Sequence, residues 1–324
     1  MKKNLLIIAF VFIVVLVLGA LAVYAYVSSP VNPSDNTEVS FIIPKGKGVS
    51  WIGENLEQKG LVRSALAFRL LALQQGLNSK IQAGSYTLKK SQSMLELLQT
   101  MQKGTNDVWV TVLEGWRNEE VAQALQTSLG DTFDVQQFLT LAKPEQGKLF
   151  PDTYLMPKIT DAPTALSYMT NNFEKKFTTE MQRAVAADGR SNSDVLTLAS
   201  IVEREANTVD SKQVVAGILM KRLQAGWALQ ADATLQYAKG YDAKAKSWWV
   251  PPTAEDKSLR SPYNTYLNTG LPPAPISNPG FDALNAAVYP TKTDYWYYLT
   301  DNNGKMHYAI TLEEQTANVK KYLQ

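Results

Sequence analysis

Two glutamates stand where a carboxylate is costly. Placed at 100° per residue, the segment SDVLTLASIVEREA (193–206) is a helix with an apolar arc about 220° wide, carried by Val195, Leu196, Leu198, Ala199, Ile201, Val202 and Ala206. Thr197, Ser200 and Arg204 share the polar remainder. Glu203 falls inside the arc between the directions of Ala199 and Leu196, and Glu205 between those of Ile201 and Leu198. A carboxylate on the core side must be paired or kept protonated. An apolar setting raises its pKa, which is what a general acid at neutral pH needs. The two directions differ by about 160°, so the glutamates do not form a side-by-side dyad. At most one does chemistry while the other braces the structure, and either could simply pair with a base or cap a backbone amide. The helix pattern does not choose between them.

Further candidates follow in the chain. LQADATLQY (229–237) carries Asp232, where Asp-Ala-Thr also suits a helix N-cap. SPYNTYLNTGLPP (261–273) has little core pattern and sets hydroxyls and amides beside Tyr263 and Tyr266. Rings give flat contact and amides fix orientation, so this is lining for a neutral, hydroxyl-rich ligand. A structural Pro/Asn turn cluster is its alternative. His307, the single histidine, reads as a structural residue.

Composition narrows the chemistry. The absence of cysteine excludes a thiol nucleophile, a disulfide framework, a Cys-rich zinc site and an Fe–S cluster, and one histidine excludes a His-rich metal site. Acid–base work falls to carboxylates, hydroxyls, Lys and Tyr; no cofactor and no metal are expected. Lys and Arg number 32 against 30 acids, a net charge of +2 that gives no sign of a nucleic-acid partner.

The elements that must position these residues begin with an uncharged run from Leu5 to Val27, which as a helix spans roughly 34 Å against a hydrocarbon core of about 30 Å. A cleavable signal sequence is the competing reading; its apolar region is usually shorter, about 7–15 residues. Lys2 and Lys3 precede the run, while acids Asp35 and Glu38 come before the first following base, Lys45. The positive-inside rule then puts the N-terminus in the cytoplasm and the remainder outside it, on a single-pass anchor (1–27) in the cytoplasmic membrane. Residues 28–38, rich in Pro, Ser and Asn, form a linker. Strands are expected at 39–43 and 84–88, and helices at 50–60, at 64–75 capped by Ser64, and at 93–103 opened by a Ser93/Glu96 capping box. Residues 39–56 and 108–125 align without a gap as strand, Gly turn and helix, a candidate internal duplication. Helical pattern then runs over 131–189 with a break at 149–154, followed by helices at 194–206 and 211–225. Beyond Gly226, prolines forbid long helices and aromatics accumulate. The fold class expected is α+β.

These motifs together resemble the YceG-like family, whose characterised member is an endolytic murein transglycosylase. LASIVERE (198–205), LQAD (229–232), YNTY (263–266) with GLPP (270–273), and FPDTY (150–154) stand in that family's order. The resemblance implies a small LysM-like α/β subdomain over 39–106 that holds glycan and a larger mixed α+β catalytic domain over 107–324. It implies Glu203 as the catalytic acid; beside it, Glu205 is expected to position or support the acid, Asp232, Tyr263 and Asn264 to orient substrate, and Gln230, Thr234, Thr265 and Tyr266 to support the site or bind substrate. Expected partners are peptidoglycan glycan strands, the cytoplasmic membrane and a peptidoglycan synthase. The chain departs from the family where Gln230-Ala231-Asp232 replaces an expected Gln-Thr-Asp and where Glu314-Gln315-Thr316 stands for Glu-His-Asn. The second departure puts any role for that histidine in doubt.

The reaction so implied cuts the MurNAc–GlcNAc β-1,4 bond within strands and leaves 1,6-anhydro-MurNAc ends, terminating nascent glycan. It needs one carboxylate where ordinary glycosidases need two. Two alternatives remain: a two-carboxylate muramidase pairing Glu203 with Asp232, and a non-catalytic, membrane-tethered glycan-binding scaffold.

Overall fold

The computed structural model describes residues 2–44, 46–77 and 80–323; Lys45, in the Gly turn expected within 39–56, lies outside them. The chain is mixed α+β and divides into two compact units, Met1–Val108 with Leu155–Lys158, and Trp109–Tyr154 with Ile159–Gln324.

The first unit opens with α1 (Lys2–Ser28). Its stretch Phe10–Ser28 has mean hydropathy 2.7 and no buried residue, and among the described residues it is the one helix long and apolar enough to cross a membrane. There follow β1 (Glu38–Ile43), α2 (Val49–Gln58), α3 (Ala65–Gln74), β2 (Gly84–Lys89) and α4 (Met94–Gln102). β1 and β2 pair antiparallel with Phe41 opposite Tyr86. Strand alternation turns Phe41, Ile43, Tyr86 and Leu88 inward, onto Ile52 and Leu56 of α2, Phe68 of α3 and Leu97 of α4. Ser64 caps α3 and the Ser93/Glu96 box opens α4, as their spacing predicts.

β3 (Asp107–Thr111) pairs with β4 (Thr153–Pro157), and the strands carry the chain from one unit into the other. Between them lie α5 (Asn118–Leu129) and α6 (Val135–Ala142). The break at 149–154 thus ends by entering β4. The segments 39–56 and 108–125 each run strand then helix, but β1 pairs with β2 and β3 with β4.

The second unit continues with α7 (Ala162–Lys176), α8 (Thr179–Ala187), α9 (Asn192–Glu205), α10 (Val209–Gln224), α11 (Asp232–Lys239) and α12 (Phe281–Val288). It closes with the antiparallel hairpin β5 (Tyr297–Thr300) and β6 (Met306–Ala309), and α13 (Leu312–Tyr322). α9 packs against α8, α10, α11 and α12, and its apolar positions form the centre of the core. On the polar side of α9, Thr197 and Ser200 are buried, and the chain after Pro273 docks on Ser200: Ile276 N donates to Ser200 Oγ and Ser277 Oγ to the Ser200 carbonyl. His307 sits on β6 with Nε2 2.9 Å from Asp301 Oδ2 and its ring stacked on Tyr322, a pairing that ties α13 to the hairpin.

Candidate active site

α9 starts at the Ser191 cap, which accepts from Asp194 N, and ends one residue past Arg204; α10 starts at the Thr208 cap, which accepts from Ser211 N. Two caps so close force a tight helix–helix corner. It sets Glu203, in the last turn of α9, against Lys212, in the first turn of α10. Each charge sits at the disfavoured end of its own helix dipole, and each finds its partner in the other. Lys212 Nζ donates to Glu203 Oε1 at 2.7 Å, and both side chains are only 6% exposed. A second carboxylate, Glu114 Oε2, lies 3.6 Å from the same ammonium and is half exposed. The other Glu203 oxygen accepts from Gly280 N at 2.9 Å. Gly280 is the N-cap of α12 and has no side chain to cap it, so Glu203 supplies the cap from another helix.

Burial pushes the Glu203 carboxyl above the ordinary range, the Lys212 contact and the Gly280 amide pull it back, and the Glu114 charge raises it further. The result is an acid that releases its proton later than a free glutamate while retaining a cation to receive its charge.

The two glycines of the site are required by close approach. A Cβ on Gly280 would clash with the Glu114 carboxylate, and Gly115, at φ +76°, packs on Arg204 and Glu203. Asn278, fully buried, ties the walls together: its backbone accepts from Gly115 N, its amide donates to the Trp116 carbonyl, and its Oδ1 accepts from Leu149 N. Arg204 lies 3.9 Å from the Trp249 ring, and Trp249 Nε1 donates to Glu120.

Glu205 points elsewhere, as the wheel separation requires. It accepts from Ala233 N and from Tyr298 Oη, both at 3.1 Å, and burial raises its pKa, with Asp232 adding to the rise. It braces the start of α11. Asp232 is exposed and is the first residue of α11, not a side-chain cap; its Oδ1 accepts from Tyr266 Oη at 2.6 Å. Burial first, then the Asp232 contact, raise the Tyr266 hydroxyl well above the usual tyrosine value.

Of the other sequence-selected residues, Gln230 is exposed at φ +51° and its N–H donates to the Thr265 carbonyl. A non-glycine residue in this region is strained, and strain of this kind gathers at functional sites. Thr234 and Thr265 are buried, bonded to each other at 2.8 Å, and close the loop onto α11. Asn264 is buried with its amide on the Lys257 and Leu259 carbonyls and its Oδ1 accepting from Tyr266 N. Tyr263 is half-buried with its ring 4.7 Å from that of Tyr237, and burial moves its hydroxyl up to about 12. The structure thus gathers Glu205, Asp232 and Tyr266 around one corner of α11, with Gln230, Thr234 and Thr265 behind it. Glu203 stands on the opposite side of α9, joined to the loop through its continuation at Ser277 and Gly280. Sequence reasoning did not find Lys212, Glu114, Gly280 or Asn278. The one available signal was Lys212, an early-turn basic residue directly after the acidic helix.

The model of the YceG-like family matches residues 41–321. The endolytic murein transglycosylase of Streptococcus pneumoniae serotype 2 (strain D39) is 28% identical over 97% of this chain and 64% of its own length. The chain therefore spans less than two thirds of that relative. The endolytic murein transglycosylase of Bacillus subtilis (strain 168) is 29% identical over 91% of this chain and 87% of its own length. A solved YceG-like protein from Listeria monocytogenes shares 27% identity and superposes with a TM-score of 0.55, covering 86% of this chain and 98% of its own. A match of that extent, across both units and through the corner that holds Glu203, means that the chain belongs to the YceG-like family.

Proposed function

We propose that this protein is a membrane-anchored endolytic lytic transglycosylase of peptidoglycan, with Glu203 as its acid. The observation that carries the reading is the setting of Glu203: withdrawn from water, raised in pKa, and held at both oxygens by Lys212 and Gly280. Relatives named endolytic murein transglycosylase supply the substrate class.

In the proposed reaction, protonated Glu203 donates to the glycosidic oxygen between MurNAc and GlcNAc as the bond to C1 breaks. The carboxylate so formed takes the proton of the MurNAc C6 hydroxyl, whose oxygen attacks C1 and closes the 1,6-anhydro ring. Attack from within the substrate gains proximity and needs no activated water. Lys212 balances charge through the cycle: while Glu203 is protonated the ammonium keeps Glu114, and once Glu203 is ionised it has both partners. Asp232, Tyr266, Tyr263 and Gln230 orient the strand, while Thr234, Asn264 and Thr265 hold that loop and Glu205 holds the start of α11.

Residues 1–27 anchor the protein with the N-terminus in the cytoplasm, and 28–38 serve as the linker. Residues 39–106 act as a LysM-like glycan holder, a role supported by the order β1-α2-α3-β2 with its strands paired antiparallel. Residues 107–324 form the catalytic domain. Cleavage beside the membrane suits the termination of nascent strands, with a peptidoglycan synthase as neighbour.

Glu114 favours one second reading. It gives Glu203 a nearby second carboxylate, the equipment of a muramidase. Mass spectrometry of the cleaved ends separates the two: anhydro ends support the transglycosylase, and reducing ends, one water heavier, support the hydrolase.

A further inference from the structure

Trp109 is 65% exposed, an unusual surface position for an indole. Strand alternation in β3 explains the direction of its ring, since Val110 beside it is fully buried and Trp109 must face outward. The ring borders a cleft of about 520 Å³ whose other wall is Trp116 and whose side is α5. Helical spacing sorts α5 cleanly. Val121, Ala122, Leu125 and Leu129 enter the core, while Glu120, Gln123, Thr127 and Ser128 turn toward the cleft. Ala124 lies among them and leaves the side of the cleft low.

We infer that this cleft is a saccharide subsite, taking a stretch of glycan strand outside the cleavage point; the inference rests on the reading of Glu203 given above. Two indoles offer flat faces to the C–H side of pyranose rings, and an amide with two hydroxyls offers donors and acceptors to their rims. The cleft is tied to Glu203 by backbone. Trp116 follows Gly115, where an added Cβ would meet Arg204 and Glu203. Glu120 is held by Trp249 Nε1 and by Arg117 N, and Trp249 in turn carries Arg204. A strand lying on Trp109 and Trp116 therefore leads toward the acid. An enzyme that cuts within strands needs such a hold on sugars beyond the bond it breaks.

The test uses the full chain in detergent micelles, carrying Glu203→Gln so that strands bind without turnover. The probe is peptide-free GlcNAc–MurNAc strands, followed by tryptophan fluorescence and calorimetry. Adding Trp109→Ala should weaken binding about tenfold, the scale of one lost ring contact, with an unchanged melting temperature. Ala124→Gln, a change α5 tolerates, fills the cleft and should weaken binding similarly; it decides the matter if Trp109→Ala does not fold. Undiminished binding by the folded cleft variants overturns the subsite alone. Failure of the Glu203→Gln parent itself to bind strands overturns both the subsite and the reading on which it rests.

Discussion

Lys212 and Glu203 meet at 2.7 Å across the corner between α10 and α9, each almost wholly removed from solvent. A buried ion pair is costly to form, and removing one partner is costlier than removing both. The proposed reaction gives the pair a use: the lysine gives the acid a place to leave its charge, and Glu114 gives the lysine a partner while the acid is protonated.

The pH dependence follows with a definite sign. In the proposed reaction Glu203 must be protonated to act, so kcat/KM should fall as pH rises through its pKa, which burial and Glu114 raise and Lys212 lowers. Glu114→Gln should move this basic limb to lower pH, and Lys212→Met should move it to higher pH while reducing kcat. Shifts of the same sign in both variants, measured over pH 4–9, would contradict the arrangement.

Stability should respond non-additively. Glu203→Gln leaves a buried ammonium short of its nearest partner, and adding Lys212→Met removes the orphan. The double variant should be more stable than Glu203→Gln alone by about 1–3 kcal/mol in urea unfolding at pH 7. Equal or lower stability would mean that the pair is not coupled.

Gly280→Ala puts a methyl group against the Glu114 carboxylate, although the backbone there, at φ −75° and ψ 177°, accepts any residue. The amide that holds Glu203 should shift, lowering kcat about tenfold or more with a small change in melting temperature. Glu114→Ala in the same chain should restore part of the loss; an absence of rescue would place the effect elsewhere.

Tyr266→Phe removes the 2.6 Å hydrogen bond to Asp232. An orienting role predicts that KM rises roughly 2–10-fold, the scale of one hydrogen bond, with kcat nearly unchanged. A fall confined to kcat would contradict the orienting role.

Local grammar carried the sequence reading far. Ser64 and the Ser93/Glu96 box marked their helix starts, Pro279 and Pro290 bracket the eight-residue α12, and the wheel separated Glu203 from Glu205. What it could not carry were contacts made between distant segments. The partner of Ser200 lies 76 residues further along the chain, at Ile276. Glu114 and Gly280 are ordinary turn residues until the fold brings them to the acid, and Asn278 gains its meaning only from the three segments it joins. Asp232 looked like a cap, yet α11 starts without a side-chain cap and frees it for Tyr266.

The most direct test of the central claim is mass spectrometry of purified peptidoglycan treated with the full chain, wild type beside Glu203→Gln. The account predicts 1,6-anhydro-MurNAc ends from the wild type and a loss of at least about a hundredfold in the variant. Reducing ends, or anhydro ends formed equally well without Glu203, would contradict it.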